Sequence, residues 1–279
     1  MSNGSAPEKT APGENRGTSR GIAWIVQGWH RVQEQPPLWF GMAAIYLVLG
    51  FSLKLIPFMG DLLLVLVTPM LLAGVIAGLA REKSAVHIPV SGKAASLPAL
   101  LQAWLAQPAQ ELVSIFIRED KVFGAVLLGI VTLGLAMLVK ITGYLLIGGS
   151  MVSGLTAGQL NASQITTVLG MLVVAILYLG LAMGLVYSVP RTVLGNRPPF
   201  EAIADSFIAC RDNAVPLLTL AAPFFIVYLG IIAAFANNHW LGYLLVFSAG
   251  GVALPVFVAS VYCSYQALFP AASPATSQR

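Results

Sequence analysis

Six long apolar runs constrain this chain more than any other feature. They lie at about 38–56, 62–80, 122–147, 165–189, 214–236 and 240–265. A helix rises about 1.5 Å per residue, so about 20 apolar residues cross the hydrocarbon of a bilayer. Lipid offers no partner to backbone N–H and C=O groups, so each run must be helical or belong to a closed barrel. Barrel strands alternate in character over about ten residues, whereas these runs are continuous. Charge agrees with length: Asp, Glu, Lys and Arg make up 9% of the residues, against about 25% in soluble domains. The sequence predicts an all-α integral membrane protein with about six transmembrane helices.

The connections give these spans an expected orientation. "PFMGD" (57–61), the stretch 148–164 and "ANNH" (236–239) contain no Lys or Arg. The termini and the other connections hold thirteen: Lys9, Arg16, Arg20, Arg31, Arg81, Lys83, Lys93, Arg118, Lys121, Arg191, Arg197, Arg211 and Arg279. The positive-inside rule puts both termini in the cytoplasm, and an even number of spans requires them on one side. Ten of the eleven acidic residues share that side, so no dense basic patch for nucleic acid remains. Cys210 and Cys263 fall there too, where thiols stay reduced, and neither has a metal-binding spacing. Residues 1–20 are Gly, Ser, Pro and charge, which predicts a disordered tail, as does 270–279. Residues 1–20 lack the short apolar core of a cleavable signal, so the first span is expected to stay as an anchor. Residues 21–269 form the polytopic membrane domain.

Three stretches are amphipathic at helical spacing. "PPFEAIADSFIACRDN" (198–213) puts Phe200, Ile203, Ala204, Phe207 and Ile208 on one stripe. Its prolines suit a helix start, Glu201 and Arg211 suit the helix dipole, and Asn213 can end it. "GIAWIVQGWHRVQEQPP" (21–37) puts Ile22, Ile25, Val26, Trp29 and Val32 on one face. "LPALLQAWLAQPAQELVSIFIREDK" (97–121) puts Leu97, Leu100, Leu101, Trp104 and Leu105 together, with a break expected at Pro108 and then Leu112, Ile115 and Phe116. Each is too short to cross a bilayer and fits the interface plane, with Trp24, Trp29, Trp104, Phe200 and Phe207 as anchors. Each precedes two spans. The chain therefore divides into three pseudo-repeats, 21–80, 97–189 and 198–268, each an amphipathic helix followed by a two-span hairpin. The amphipathic helices are expected to brace the span that follows them.

Three further stretches together resemble a family of bacterial, mainly proteobacterial, multi-spanning inner-membrane proteins of unknown function. They are "LIPFMG" (55–60), "PPFEAIADSFIACRDN" and "ASVYCSYQALF" (259–269). The resemblance covers about 21–269 and implies an inner-membrane fold. It brings no catalytic residues.

Candidate chemistry is sparse. Lys54 and Lys140 lie 16 and 18 residues past the starts of spans one and three, near the outer surface, where a lysine can snorkel to water. With Asp61 and His239 they form a candidate outer polar cluster, in which Asp61 is expected to pair with a lysine and which could bind an anion or a headgroup. No "HExxH", phosphate-binding loop or paired intramembrane aspartates occur, and Ser150 or Ser153 with His239 lacks a flanking motif. Catalytic, cofactor and metal residues are therefore not assigned. "GVIAG" (Gly74, Gly78) and "GLAMG" (Gly180, Gly184) permit close helix approach, and Pro69, Pro223 and Pro255 permit kinks. The expectation is a non-enzymatic scaffold or accessory protein that contacts membrane lipids, with a protein partner on the cytoplasmic face as a further prospect. A small-molecule or lipid transporter is the alternative, motivated by the kinks and the outer cluster, and a membrane enzyme ranks third.

Overall fold

The computed structural model describes residues 15–57, 59–81, 102–113, 119–154 and 162–270. The helices are α1 (Asn15–Glu34), α2 (Pro36–Lys54), α3 (Gly60–Arg81), α4 (Gln107–Val113), α5 (Glu119–Gly154), α6 (Ala162–Leu185), α7 (Ser188–Val193), α8 (Pro199–Asp212), α9 (Ala214–Asn237), α10 (His239–Leu245) and α11 (Gly251–Leu268). The π-turn Gln102–Ala106 precedes α4, and a second, Val246–Gly250, joins α10 to α11. The described residues contain no strand. Six segments are long and apolar enough to cross a membrane: Pro36–Lys54, Gly60–Ala77, Val122–Ile147, Thr167–Val193, Ala214–Asn237 and His239–Leu268. The fold is that of an all-α membrane protein. The spans run up and down, so α1, α4, α7 and α8 gather at one end of the bundle, here called the basic end.

Four local expectations change. α1 begins at Asn15, so 15–20 is helical, not tail. There the backbone of Gly17 and Gly21 lies against Val215, Pro216 and Thr219 of α9, and tertiary contact overrides composition. α5 continues to Gly154 and absorbs the start of the link expected at 148–164. The helix expected to break at Pro108 carries through it. Pro108 follows one π-turn and Pro255 follows the other. A proline ring crowds the carbonyl four residues back and cannot donate to it, and a wide preceding turn relieves both problems. The fourth span breaks at Val186–Tyr187 for a specific reason. The Ser206 hydroxyl donates to the Met183 carbonyl at 2.7 Å and accepts from the Tyr187 N–H at 2.9 Å. A side chain has entered the helix ladder at the pair that would otherwise bond directly.

The amphipathic helices do not brace their own following spans. α4, from the second unit, packs on α2 and α3 of the first. α8, from the third, packs on α6 and also on α5 of the second. α1, from the first, packs on α9 and α11 of the third. Each helix thus lies across the hairpin of the preceding unit, and the order closes on itself. Among the spans, α3 packs on α5 and α11 on α2, but α6 and α9 share no comparable packing among the described residues.

Small residues make these crossings close. A Cβ added to Gly28 would collide with Ser260 of α11, and one on Gly74 with the Leu112 carbonyl of α4. A Cβ on Gly41 would lie 2.5 Å from both the Trp104 carbonyl oxygen and Pro108 Cγ. Lipid is as apolar as the helices, so association rests on such van der Waals fit and on hydrogen bonds, not on burial from water. Gly74 and Gly184, which faces Ile203, serve packing within the chain, whereas Gly180 has open space around it. A paired substitution tests this. Gly28→Leu is expected to cost about 1–3 kcal/mol by overpacking, and Gly180→Ala to stabilise by about 0.5–1 kcal/mol through helix propensity. Thermal unfolding in detergent reads both, and equal midpoints would contradict the packing described.

Candidate functional site

The basic end carries two features that share α8. The first is a collar. α1 buries Gly21, Trp24, Gly28 and Val32 against the bundle. α8 buries Pro199, Ala202, Ser206 and Cys210, with the same spacing. α4 buries Pro108 and Leu112, four residues apart like Gly28 and Val32. Part of each predicted stripe therefore faces outward, although Val32 belongs to the buried face of α1. Trp29 is 39% exposed, Trp104 42%, Phe200 69% and Phe207 42%. Ile22, Val26, Leu105 and Ile208 are exposed beside them. Trp24 is the correction: at 4% exposure it is packed inside the protein and is no membrane anchor. Leu97, Leu100, Leu101, Ile115 and Phe116 lie outside the described residues.

The second feature is a polar and aromatic junction of α7, α8 and α11. Ser264 donates to the Val261 carbonyl at 2.7 Å, so the Tyr187 hydroxyl is the donor in its 2.8 Å bond with Ser264. Arg191 Nε donates to Asp205 at 3.0 Å, and its terminal nitrogen bonds the same oxygen. The guanidinium also sits 4.7 Å over the Phe269 ring, which meets Tyr187 edge-on with centroids 5.7 Å apart. Two of the three stretches that carry the sequence resemblance, 198–213 and 259–269, thus meet here. "LIPFMG" lies at the opposite end, where Gly60 allows the turn to close on the Leu53 carbonyl. Tyr187, Ser206, Ser264 and the Arg191–Asp205 pair were not grouped from sequence.

Both cysteines are buried free thiols. Burial pushes the Cys210 thiol up to about 11, with a hydrogen bond to Ser206 pulling the other way. This group supports a lock and not a nucleophile, since a reactive cysteine needs a lowered value.

The outer cluster is not assembled. Lys54, Asp61, Lys140 and His239 are all exposed, and no ion pair joins any of them. Lys54 ends α2, Asp61 and His239 lie in the first turns of α3 and α10, and Lys140 sits on α5, a helix that does not pack on α10. Among the described residues no ion pair joins Asp61 to a lysine, and an exposed charge has no energetic need of one. Within the spans, the hydroxyls of Thr132 and Thr192 are buried without a partner, whereas five others are used locally. Thr68, Thr142, Thr219, Ser248 and Ser260 each donate to the carbonyl four residues back, a common use of such groups. Among the described residues no three His, Cys, Asp or Glu side chains are grouped to hold a metal. The chain matches no protein-family model, no curated protein and no solved structure.

Two measurements probe the junction. Asp205→Ala leaves Arg191, 18% exposed, without its carboxylate, and is expected to cost about 1–2 kcal/mol, between exposed and fully buried pairs. Thermal unfolding against Arg197→Ala, whose pair with Glu201 is exposed, isolates the effect. For Cys210 the raised value means the fold favours the neutral thiol. Its contribution to stability is full below about pH 9 and falls as pH climbs toward 11. Maleimide labelling should be slow at pH 7 and accelerate along that rise or on unfolding. Rapid labelling of folded protein at pH 7 would contradict the buried placement.

Proposed function

We propose that this chain is a non-enzymatic scaffold or accessory protein of a bacterial inner membrane that contacts lipid through the collar, with both termini in the cytoplasm. One observation carries the proposal: each collar segment seats one face on the bundle (Gly21, Trp24, Gly28 and Val32; Pro108 and Leu112; Pro199, Ala202, Ser206 and Cys210) and still leaves large apolar side chains outward. Ile22, Val26 and Trp29, then Trp104 and Leu105, then Phe200, Phe207 and Ile208 repeat this in all three units. A helix with one face seated and large apolar residues free suits the headgroup–acyl boundary, where aromatic side chains are favoured. Arg197 and Arg211, with exposed side chains, suit anionic headgroups at the same level. The junction of α7, α8 and α11 holds the collar in register, which is a scaffold's requirement. The exposed, unpaired outer residues give a polar-solute pathway no support.

Single-tryptophan variants in vesicles test the collar. Lipids brominated on the acyl chain near the headgroup should quench Trp29 and Trp104 strongly and Trp24 weakly, at least threefold apart. Quenching of Trp29 and Trp104 by aqueous iodide, with no response to brominated lipid, would place the collar in water and defeat the proposal.

A further inference from the structure

At the junction of the first and third units lies a cavity of about 250 Å³. Its wall is formed by α2 (Trp39, Ala43, Tyr46), α3 (Thr68, Leu72, Val75), α11 (Leu254, Phe257, Val258) and, at the basic end, Leu112 of α4. From the sequence and structure together we propose that this cavity binds a single acyl chain of a membrane lipid, entering from the leaflet at the basic end.

Four observations support it. First, the lining is hydrocarbon and aromatic, and its two hydroxyls are committed. Thr68 donates to the Leu64 carbonyl at 2.6 Å, so Tyr46 is the donor in its 3.0 Å bond with Thr68. No hydroxyl proton remains for a polar ligand. The Trp39 N–H is buried and unpartnered, sealed from the cavity as well as from water, so it recognises nothing there. Second, apolar cavities of even about 150 Å³ stay dry and accept apolar molecules. This one is larger, and it falls short of the roughly 300–1,000 Å³ typical of sites for compact ligands. Third, its depth follows from the helices. Trp39 to Tyr46 descends α2 and Val75 to Thr68 descends α3, each about 10 Å, a third of the roughly 30 Å hydrocarbon. The space is therefore elongated along a chain's direction and lies in one leaflet. Fourth, Tyr46, Leu72, Leu254 and Val258 are only partly buried, so the floor is protein and the rim is open to what surrounds the bundle.

The proposal does not depend on the collar: a collar in water would leave the cavity among the spans. The lining contains no charge, so it selects hydrocarbon and not a headgroup.

The test uses the full chain in phosphatidylethanolamine vesicles doped with phosphatidylethanolamine carrying a diazirine on one acyl chain, followed by mapping of the crosslinks. Labelling of Met42, Leu72 and Leu254 is expected to exceed that of Leu172 and Leu218, which are exposed on α6 and α9, at least fivefold. Ala43→Phe fills the cavity and should remove that excess. Leu72→Trp, at the partly exposed rim, does the same should the first variant fail to fold. A phosphatidylglycerol probe should label equally. Uniform labelling of cavity and outer positions, or an excess that survives a folded filling variant, would overturn the site. A tenfold preference between the two headgroups would overturn its hydrocarbon basis.

Discussion

The fit of a small face against a neighbouring hairpin is the contact on which the rest of the structure depends. Gly28 lies on Ser260, Pro108 on Gly41, and Ser206 enters the ladder between Met183 and Tyr187. In water such helices would dock through their largest apolar residues, because burial of that area drives folding. In a bilayer that force between helices is missing, and what remains is close backbone approach and hydrogen bonding. The three crossings follow that rule, and they also set the order of the units. Each unit holds the one before it, so no hairpin has its basic end packed by its own helix alone.

The spans were legible because length and apolar continuity leave one solution in lipid. Helix ends were less so. The break after Leu185 depends on Ser206, which lies on α8, 19 residues beyond Tyr187, and no local signal near Tyr187 announces it. The carry-through at Pro108 depends on a π-turn whose sequence, "QAWLA", is ordinary. Phe200, Phe207 and Ile208 of one stripe and Ile22, Val26 and Trp29 of the other are exposed, whereas Ile203 packs toward Gly184 and Val32 is buried. What the pattern could not tell is which face meets protein, since lipid and protein interior are equally apolar partners. Trp24 shows the consequence. It lies one turn from Gly21 and Gly28, and those glycines, not hydropathy, put it inside.

The outer cluster failed for the complementary reason. Lys54, Asp61, Lys140 and His239 were grouped by their positions along the spans, and position along a span gives only an expected depth. It says nothing of azimuth around the bundle. Charges at a span's end are stable alone because water is near, so no energetic demand gathers them. The Arg191–Asp205 pair is different. Its guanidinium is largely covered and stacked on Phe269, and a covered cation requires a partner. The junction was therefore the place where charge would be organised, and the hydroxyls of Ser206 and Ser264 around Tyr187 belong to the same requirement.

α4 ties the collar to the cavity. Outward it shares the collar's position, with Trp104 and Leu105 exposed just before it. Inward, Pro108 rests on Gly41 and Leu112 closes one end of the cavity. Its seven residues form a helix too short to hold itself by backbone bonds alone, so its place is set by these contacts. Gly41 precedes Met42 and Ala43 on α2, and Gly74 precedes Val75 on α3; all three of those neighbours line the cavity. A shift of α4 along the interface would therefore move the cavity's end wall, while α1 and α8, seated on other hairpins, would stay in place. Of the three collar helices, α4 alone among the described residues reaches the cavity lining.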